Sequence, residues 1–259
     1  HLSQFVPLLN KIFKDEWFIS GCISVHYKNM VFEGERVKAF VKLPKNDSKI
    51  TDIWMEKEDG TYVLSGTAGI GPEHEPSALD TLMSKLDKPE NLVILSDIKE
   101  GIKSDKRVKV TMGFDQHLGD LYPFTLNEKL AVITELDQWY TEDNGEKSPW
   151  GKPIIPIEMI SVLTNFSGNP STFSVKGPVI GLFANQEIKL FKGPLFVGEE
   201  YQIEKEIIAV SQSKQVETYW CMTSVYDKKN ILVAECLLNQ AFLKNSYKNY
   251  EKELKNISV

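Results

Sequence analysis

The chain has 259 residues, 42% hydrophobic, 25% charged and 10% aromatic, with a formal net charge of −6. That length holds one large domain or two modest ones, and the apolar share is ordinary for a packed core. Thirty Lys+Arg against 36 Asp+Glu leave no overall basic footprint for nucleic acid, and 16 Gly with 12 Pro are too few for a low-complexity chain.

No apolar run approaches the roughly 20 residues that span a bilayer. The sequence starts at His1 without an initiator Met and reads as a trimmed or processed fragment. Leu2–Phe13 predicts a short apolar helix. It carries Asn10 and Lys11 and has no small-residue cleavage site, so it does not read as a signal peptide. Several segments rich in Val, Ile, Phe and Tyr follow, separated by Gly, Asp, Asn and Lys turns, which is the pattern of strands. Pro76–Leu86 predicts a connecting helix, with Leu79, Leu82, Met83 and Leu86 on one face and Ser77 as its N-cap. Leu92–Leu95 predicts a further short strand, and residues 99–109 a solvated charged segment. A second apolar helix is predicted at Ile157–Phe166. Its Ile157, Met159, Ile160, Val162 and Leu163 leave little polar surface, as expected of an enclosed element. Ala184–Leu190, Tyr201–Ser211, Glu217–Tyr226 and Ile231–Leu243 lie close enough together to pair antiparallel through short turns. Tyr247–Lys255 predicts a polar C-terminal helix. Cys22, Cys221 and Cys236 form no CxxC pair and have no His at metal-ligand spacing, so they read as reduced core thiols of a cytoplasmic protein.

The sequence also repeats itself. Val31-Phe-Glu-Gly-Glu-Arg-Val37 matches Leu195-Phe-Val-Gly-Glu-Glu-Tyr201, with Gly34 and Gly198 164 positions apart. Ile19–Val25 resembles Ile180–Ile188, Ile50–Trp54 resembles Val216–Trp220, and the turn and β-rich run from Asp59 matches that from Lys229. A helical candidate precedes the strands in each copy. Matches in one order at a nearly constant offset mark a duplicated fold. The organisation expected is a first repeat over 1–71, a linker with a helix over 72–106 and a second repeat over 107–259. The second repeat has about fifty residues before its helix, whereas the first reaches its helix at Leu2, so the counterpart of that leader is expected to be absent from the first copy or from this sequence.

A helix-and-strands unit duplicated across a linker resembles the double hot-dog fold, and residues 107–245 resemble the MaoC-like acyl-CoA hydratase/dehydratase family. The residues that carry the resemblance are Phe124-Thr-Leu126 as a first strand, Trp139-Tyr-Thr-Glu-Asp-Asn144, Gly151-Lys-Pro-Ile-Ile-Pro156 opening the apolar helix, and Gly198-Glu199 in a later strand. The resemblance implies an α+β double hot-dog, two curved antiparallel sheets that each wrap an apolar central helix and join into one continuous sheet. The family's motif is an Asp and a His, with Asn-Pro between them, acting together on a water that adds across an enoyl thioester. Asp143-Asn144 matches the start of that motif with one residue missing, but no His follows: none lies between His117 and Val259.

Three residues are therefore candidate catalytic groups. Asp143 carries the resemblance, against the alternative of a solvated acidic turn. His117, in Phe114-Asp-Gln-His-Leu-Gly-Asp120, is a neutral-pH acid/base type, against the alternative of a turn His bonded only locally. Glu158 opens an otherwise apolar helix two residues after Pro156. A helix dipole favours a carboxylate there, and hot-dog thioesterases place a catalytic carboxylate on this helix. Asn144, Trp150 and Gly151 are candidate substrate-binding residues, Trp150 lining an acyl channel or capping the core. The expected ligand is an acyl thioester on coenzyme A or an acyl carrier protein. No metal, cofactor, nucleic acid or membrane partner is expected, and the chain is expected to act as a pseudo-dimeric monomer or a homodimer. Three functions stand open: a hydratase/dehydratase with a degenerate site, a thioesterase using Glu158, and a non-catalytic thioester-binding protein.

Overall fold

The computed structural model describes residues 2–45, 48–133, 135–165 and 173–257. A 3-10 turn over Leu2–Phe5 leads into helix α1 (Val6–Phe13), then α2 (Glu16–Ser20). Four strands follow: β1 (Gly21–Tyr27), β2 (Val37–Val41), β3 (Ile50–Lys57) and β4 (Tyr62–Ile70). Helix α3 (Ala78–Met83) precedes β5 (Val108–Val110), α4 (Leu126–Val132), α5 (Glu142–Gly145) and α6 (Met159–Asn165). A second run of strands comprises β6 (Gly181–Leu190), β7 (Tyr201–Gln212), β8 (Val216–Tyr226) and β9 (Leu232–Leu243), and α7 (Tyr250–Ile257) closes the chain.

All nine strands form one antiparallel sheet in the order β2-β3-β4-β1-β6-β9-β8-β7-β5. Read outward from the centre, β1-β4-β3-β2 on one side mirrors β6-β9-β8-β7 on the other. The joint is the β1–β6 pair, with Ile23 opposite Ile188 and Ser24 opposite Glu187. The duplicated sequence thus folds as two copies sharing one sheet. Gly34 and Gly198, matched in the repeat, both adopt positive φ (84° and 77°). A side chain is strained there, so the shared glycine marks a shared turn.

Strand alternation sorts side chains between the two faces. On β1, Ile23 and Val25 join the principal core with Val6 and Leu9 of α1 and Met159, Ile160 and Leu163 of α6. Both central helices therefore lie on one face. On β9, Cys236 belongs to that core, while its neighbour Leu237 packs with Leu79 of α3 and Trp220 on the opposite face. All three cysteines are free and buried.

Ser77 caps α3 as expected, in a capping box with Asp80, although the helix ends at Met83 rather than Leu86. Phe124–Leu126 is not a strand. Thr125 accepts the Glu128 N–H and Glu128 caps back, so the segment starts α4. The strand that pairs with β7 is β5 instead. Leu92–Leu95 is not a strand either: its backbone is held by the buried Glu217 carboxylate, which accepts the Val93 and Leu95 N–H groups, each at 2.9 Å. An apolar run of four needs burial, and a distant acceptor satisfies its donors without a neighbouring strand. The second central helix starts at Met159, and Phe166 lies outside the described residues. Among the described residues, no helix is long and apolar enough to cross a membrane.

Candidate functional site

The entry to α6 is fixed by backbone pairing. Ile154 N–H donates to the Trp139 carbonyl at 3.0 Å, and Ile155 N–H donates to the Leu195 carbonyl at 2.7 Å. The first of these bonds ties the 3-10 turn Gln138–Tyr140 to the segment leading into Glu158. Asp137 caps that turn by accepting the Trp139 N–H at 2.9 Å. Tyr140 is thereby swung inward. It is 1% exposed and meets Phe18, at the end of α2, edge-on with ring centroids 6.3 Å apart. Trp150 meets the same Phe18 edge-on at 6.1 Å. The first copy supplies a second contact, since Ser3 Oγ donates to the Glu135 carboxylate. The site therefore lies at the junction of the two copies.

Two polar groups in it have no hydrogen-bond partner among the described residues. The Glu158 residue as a whole is half-buried, yet both of its carboxylate oxygens are fully enclosed and unpartnered, and so is the Tyr140 hydroxyl. Buried polar atoms are nearly always bonded, and the other two such atoms among the described residues, the Nε1 groups of Trp17 and Trp220, do not titrate, so Glu158 and Tyr140 are the enclosed proton-bearing pair. Burial pushes the Glu158 carboxyl above its ordinary value; the residue's own backbone N–H works against this first, then Lys129, and Glu135 adds to the rise. Burial also pushes the Tyr140 hydroxyl well up, and the nearby charges of Glu158, Asp137 and Glu135 push it further. Asp137 is raised by burial as well, against the bond from Trp139. Burial thus favours the protonated forms of Glu158 and Asp137 beside a phenol that keeps its proton.

The other candidates have different surroundings. Asp143 and Asn144 are exposed on the single turn of α5. The turn is anchored by Gly145, where a Cβ would lie 2.3 Å from Pro153 Cα. His117 is exposed, and its Nδ1 accepts the Gly119 N–H at 3.1 Å. Gly151 is exposed with φ of 68°, next to the half-buried Trp150. No hydrogen bond or ion pair joins Asp143, His117 and Glu158 among the described residues. The other histidines have structural surroundings. His26 Nδ1 bonds Asn185 Oδ1 at 2.6 Å across the β1–β6 joint, and His74 is half-buried with Nε2 bonded to the Leu190 carbonyl at 3.0 Å. Among the described residues, no three His, Cys, Asp or Glu side chains gather to hold a metal ion. Tyr140, Glu135 and Phe18 carry no local sequence signal, because their contacts, Phe18 with Tyr140 and Ser3 with Glu135, form only where the two copies pack together.

Comparison of the sequence with protein-family models finds no match, and neither does comparison with curated proteins. The fold does find relatives. It resembles a MaoC domain dehydratase from Chloroflexus aurantiacus J-10-fl with TM-score 0.54 and 13% identity, over 87% of this chain and 75% of that one. It also resembles the MaoC-like dehydratase from Rhodospirillum rubrum (TM-score 0.43, 14% identity, 58% of this chain and 97% of that one). A third is the (R)-hydratase from A. caviae involved in PHA biosynthesis (TM-score 0.40, 17% identity, 56% and 97%). The strand order and the likeness to the Chloroflexus protein make this a double hot-dog fold.

Proposed function

We propose that this protein adds water to, or removes it from, an acyl thioester, with Glu158 as the proton-transfer group and Tyr140 as its partner. The observation that carries the reading is the pair of enclosed, unpartnered polar groups at the junction of the copies. The fold shared with the Chloroflexus dehydratase supports the substrate class. The proposal centres on Glu158 rather than Asp143 because an enoyl thioester needs apolar enclosure, and Asp143 faces solvent.

The reaction starts from the protonated Glu158 carboxyl, the form that its burial favours. In hydration, one carboxyl oxygen accepts the proton that water releases as its oxygen bonds to the β-carbon. The other oxygen delivers its own proton to the α-carbon as the double bond is lost. The carboxyl ends as protonated as it began, so one group serves as both base and acid. The Tyr140 hydroxyl donates to the incoming water oxygen and orients it. Dehydration is the same path reversed.

The test is a panel of enoyl- and hydroxyacyl-CoAs, read for hydration and thiol release together. Hydration without thiol release is expected, reduced about 100-fold or more in Glu158→Gln, less in Tyr140→Phe, and unchanged in Asp143→Asn. Unchanged turnover in Glu158→Gln would remove the residue from the mechanism. Thiol release lost in that variant would replace the reading with a thioesterase, and binding without turnover would replace it with a non-catalytic thioester-binding protein. The same variant has a pH readout. The folded state keeps the Glu158 proton to higher pH than the unfolded chain does. Its contribution to stability is therefore full below the ordinary carboxylate range and is lost as pH rises through the raised value; Glu158→Gln flattens that fall.

A further inference from the structure

Away from the Glu158 site, a cavity of about 670 Å³ opens where the β7–β8 turn meets the end of β9 and the start of α7. Its lining includes Lys214, Lys244, Lys248, Tyr247, Tyr250 and Leu254. Lys244 is the fixed member. Its Nζ donates to Gln212 Oε1 at 3.0 Å and lies 5.5 Å from the centre of the Tyr250 ring. Tyr250 is in turn anchored, donating its hydroxyl to the buried Glu217 carboxylate at 2.9 Å. A neutral amide and an aromatic face orient an ammonium group without cancelling its charge. None of the three lysines has a carboxylate partner among the described residues. Glu251 is the one acid in the lining, so positive charge is in excess there although the chain as a whole is anionic.

The other copy acts as an internal control. The corresponding place, where the β2–β3 turn meets the sheet beside the end of β4, holds a cavity of only about 220 Å³. Carboxylates meet part of this turn. Lys42 pairs with Asp52 at 3.1 Å, and Glu75 accepts the Lys49 N–H at 2.9 Å. Glu75 stands five residues beyond the end of β4, and Lys248 stands five beyond the end of β9. One copy has an acid that closes its turn where the other has a lysine facing an open cavity.

We propose that the larger cavity binds a phosphate-bearing small molecule, its phosphate oxygens on the ammonium groups of Lys214, Lys244 and Lys248 and its uncharged body against Tyr247 and Leu254. Three separate ammonium donors suit an anion with several terminal oxygens and more than one charge. The volume falls in the range of small-molecule sites and far exceeds a bare ion. The inference is independent of the chemistry at Glu158.

The test is calorimetric titration of the whole chain with pyrophosphate, ADP and adenosine. Pyrophosphate and ADP are expected to bind, more weakly as salt is raised, and adenosine is not. Tighter binding of ADP places a ligand body in the cavity, whereas equal affinity identifies free phosphate groups as what the site takes. Lys244→Gln and the exposed Lys248→Glu are each expected to lower affinity by about tenfold or more. Lys42→Gln, in the closed counterpart, is expected to leave it unchanged. Absence of binding at millimolar pyrophosphate and ADP would overturn the proposal. So would binding that survives in both Lys244→Gln and Lys248→Glu, or adenosine binding as tightly as ADP.

Discussion

The two copies share a strand order but differ at both ends of their sheets. At the head of the central helix, the first copy presents a wholly buried Phe5, and the second presents a carboxyl group, Glu158, with no partner. At the turn between their second and third strands, the first copy pairs Lys42 with Asp52 and the Lys49 N–H with Glu75, and the second leaves three lysines around a larger cavity. Topology tolerates duplication because alternation and turn glycines alone specify it. Chemistry collects where the repeat is broken, since a departure from a packed and self-satisfied copy leaves polar groups to be met by something else.

The largest expected effects test whether the copies are equivalent in stability. Leu9→Ala and Leu163→Ala remove fully buried side chains from the two central helices, and each is expected to cost about 2–5 kcal/mol in urea unfolding. Because β1 and β6 pair across the joint, both should move a single transition. Two transitions, each answering to one variant, would separate the copies into independent bodies. Smaller effects are expected at the second residue of the third strand in each copy. In the second copy this is Glu217, whose replacement by Leu leaves two backbone N–H groups and the Tyr250 hydroxyl without their acceptor. A loss on the order of 3 kcal/mol is expected, with amide exchange rising in residues 92–98 and α7. In the first copy it is Thr51, which donates to the Lys42 carbonyl, and Thr51→Val is expected to cost about 1 kcal/mol. Equal costs would mean that Glu217 does not tie the linker to the sheet. Smallest are Gly34→Ala and Gly198→Ala, each expected to lose about 1 kcal/mol through positive φ alone. A Cβ at either position meets nothing within 4 Å, so unequal losses would show that the two turns are not equivalent.

Most of the strands were legible because each is a local pattern. Tyr201–Ser211 and Glu217–Tyr226 differ from the observed β7 and β8 by one residue. Ser77 announced α3 for the same reason, a cap being a contact between near neighbours. At Phe124–Leu126 a local signal for the helix exists, since Thr125-Leu-Asn-Glu128 spells a capping box. At Leu92–Leu95 no local signal exists, because the acceptor that replaces a strand partner is Glu217, more than 120 positions away. At the site, Glu158 could be read as an acid entering an apolar helix, whereas Asp143 and His117 looked equally chemical until their exposure was seen.

The sequence by itself determined that the fold is duplicated, that its units are antiparallel strands around an apolar helix, and that few residues are equipped for acid–base work. These follow from periodicity, turn chemistry and side-chain type, which act over a handful of residues. Tertiary packing alone sets Phe18 against Tyr140, encloses the Glu158 carboxyl, and pairs Lys42 of one copy while the lysines of the other line an open cavity. Burial and the company a charge keeps are set by segments far apart in the chain, so desolvation, which makes Glu158 a proton-transfer candidate, exists only once the two copies have joined.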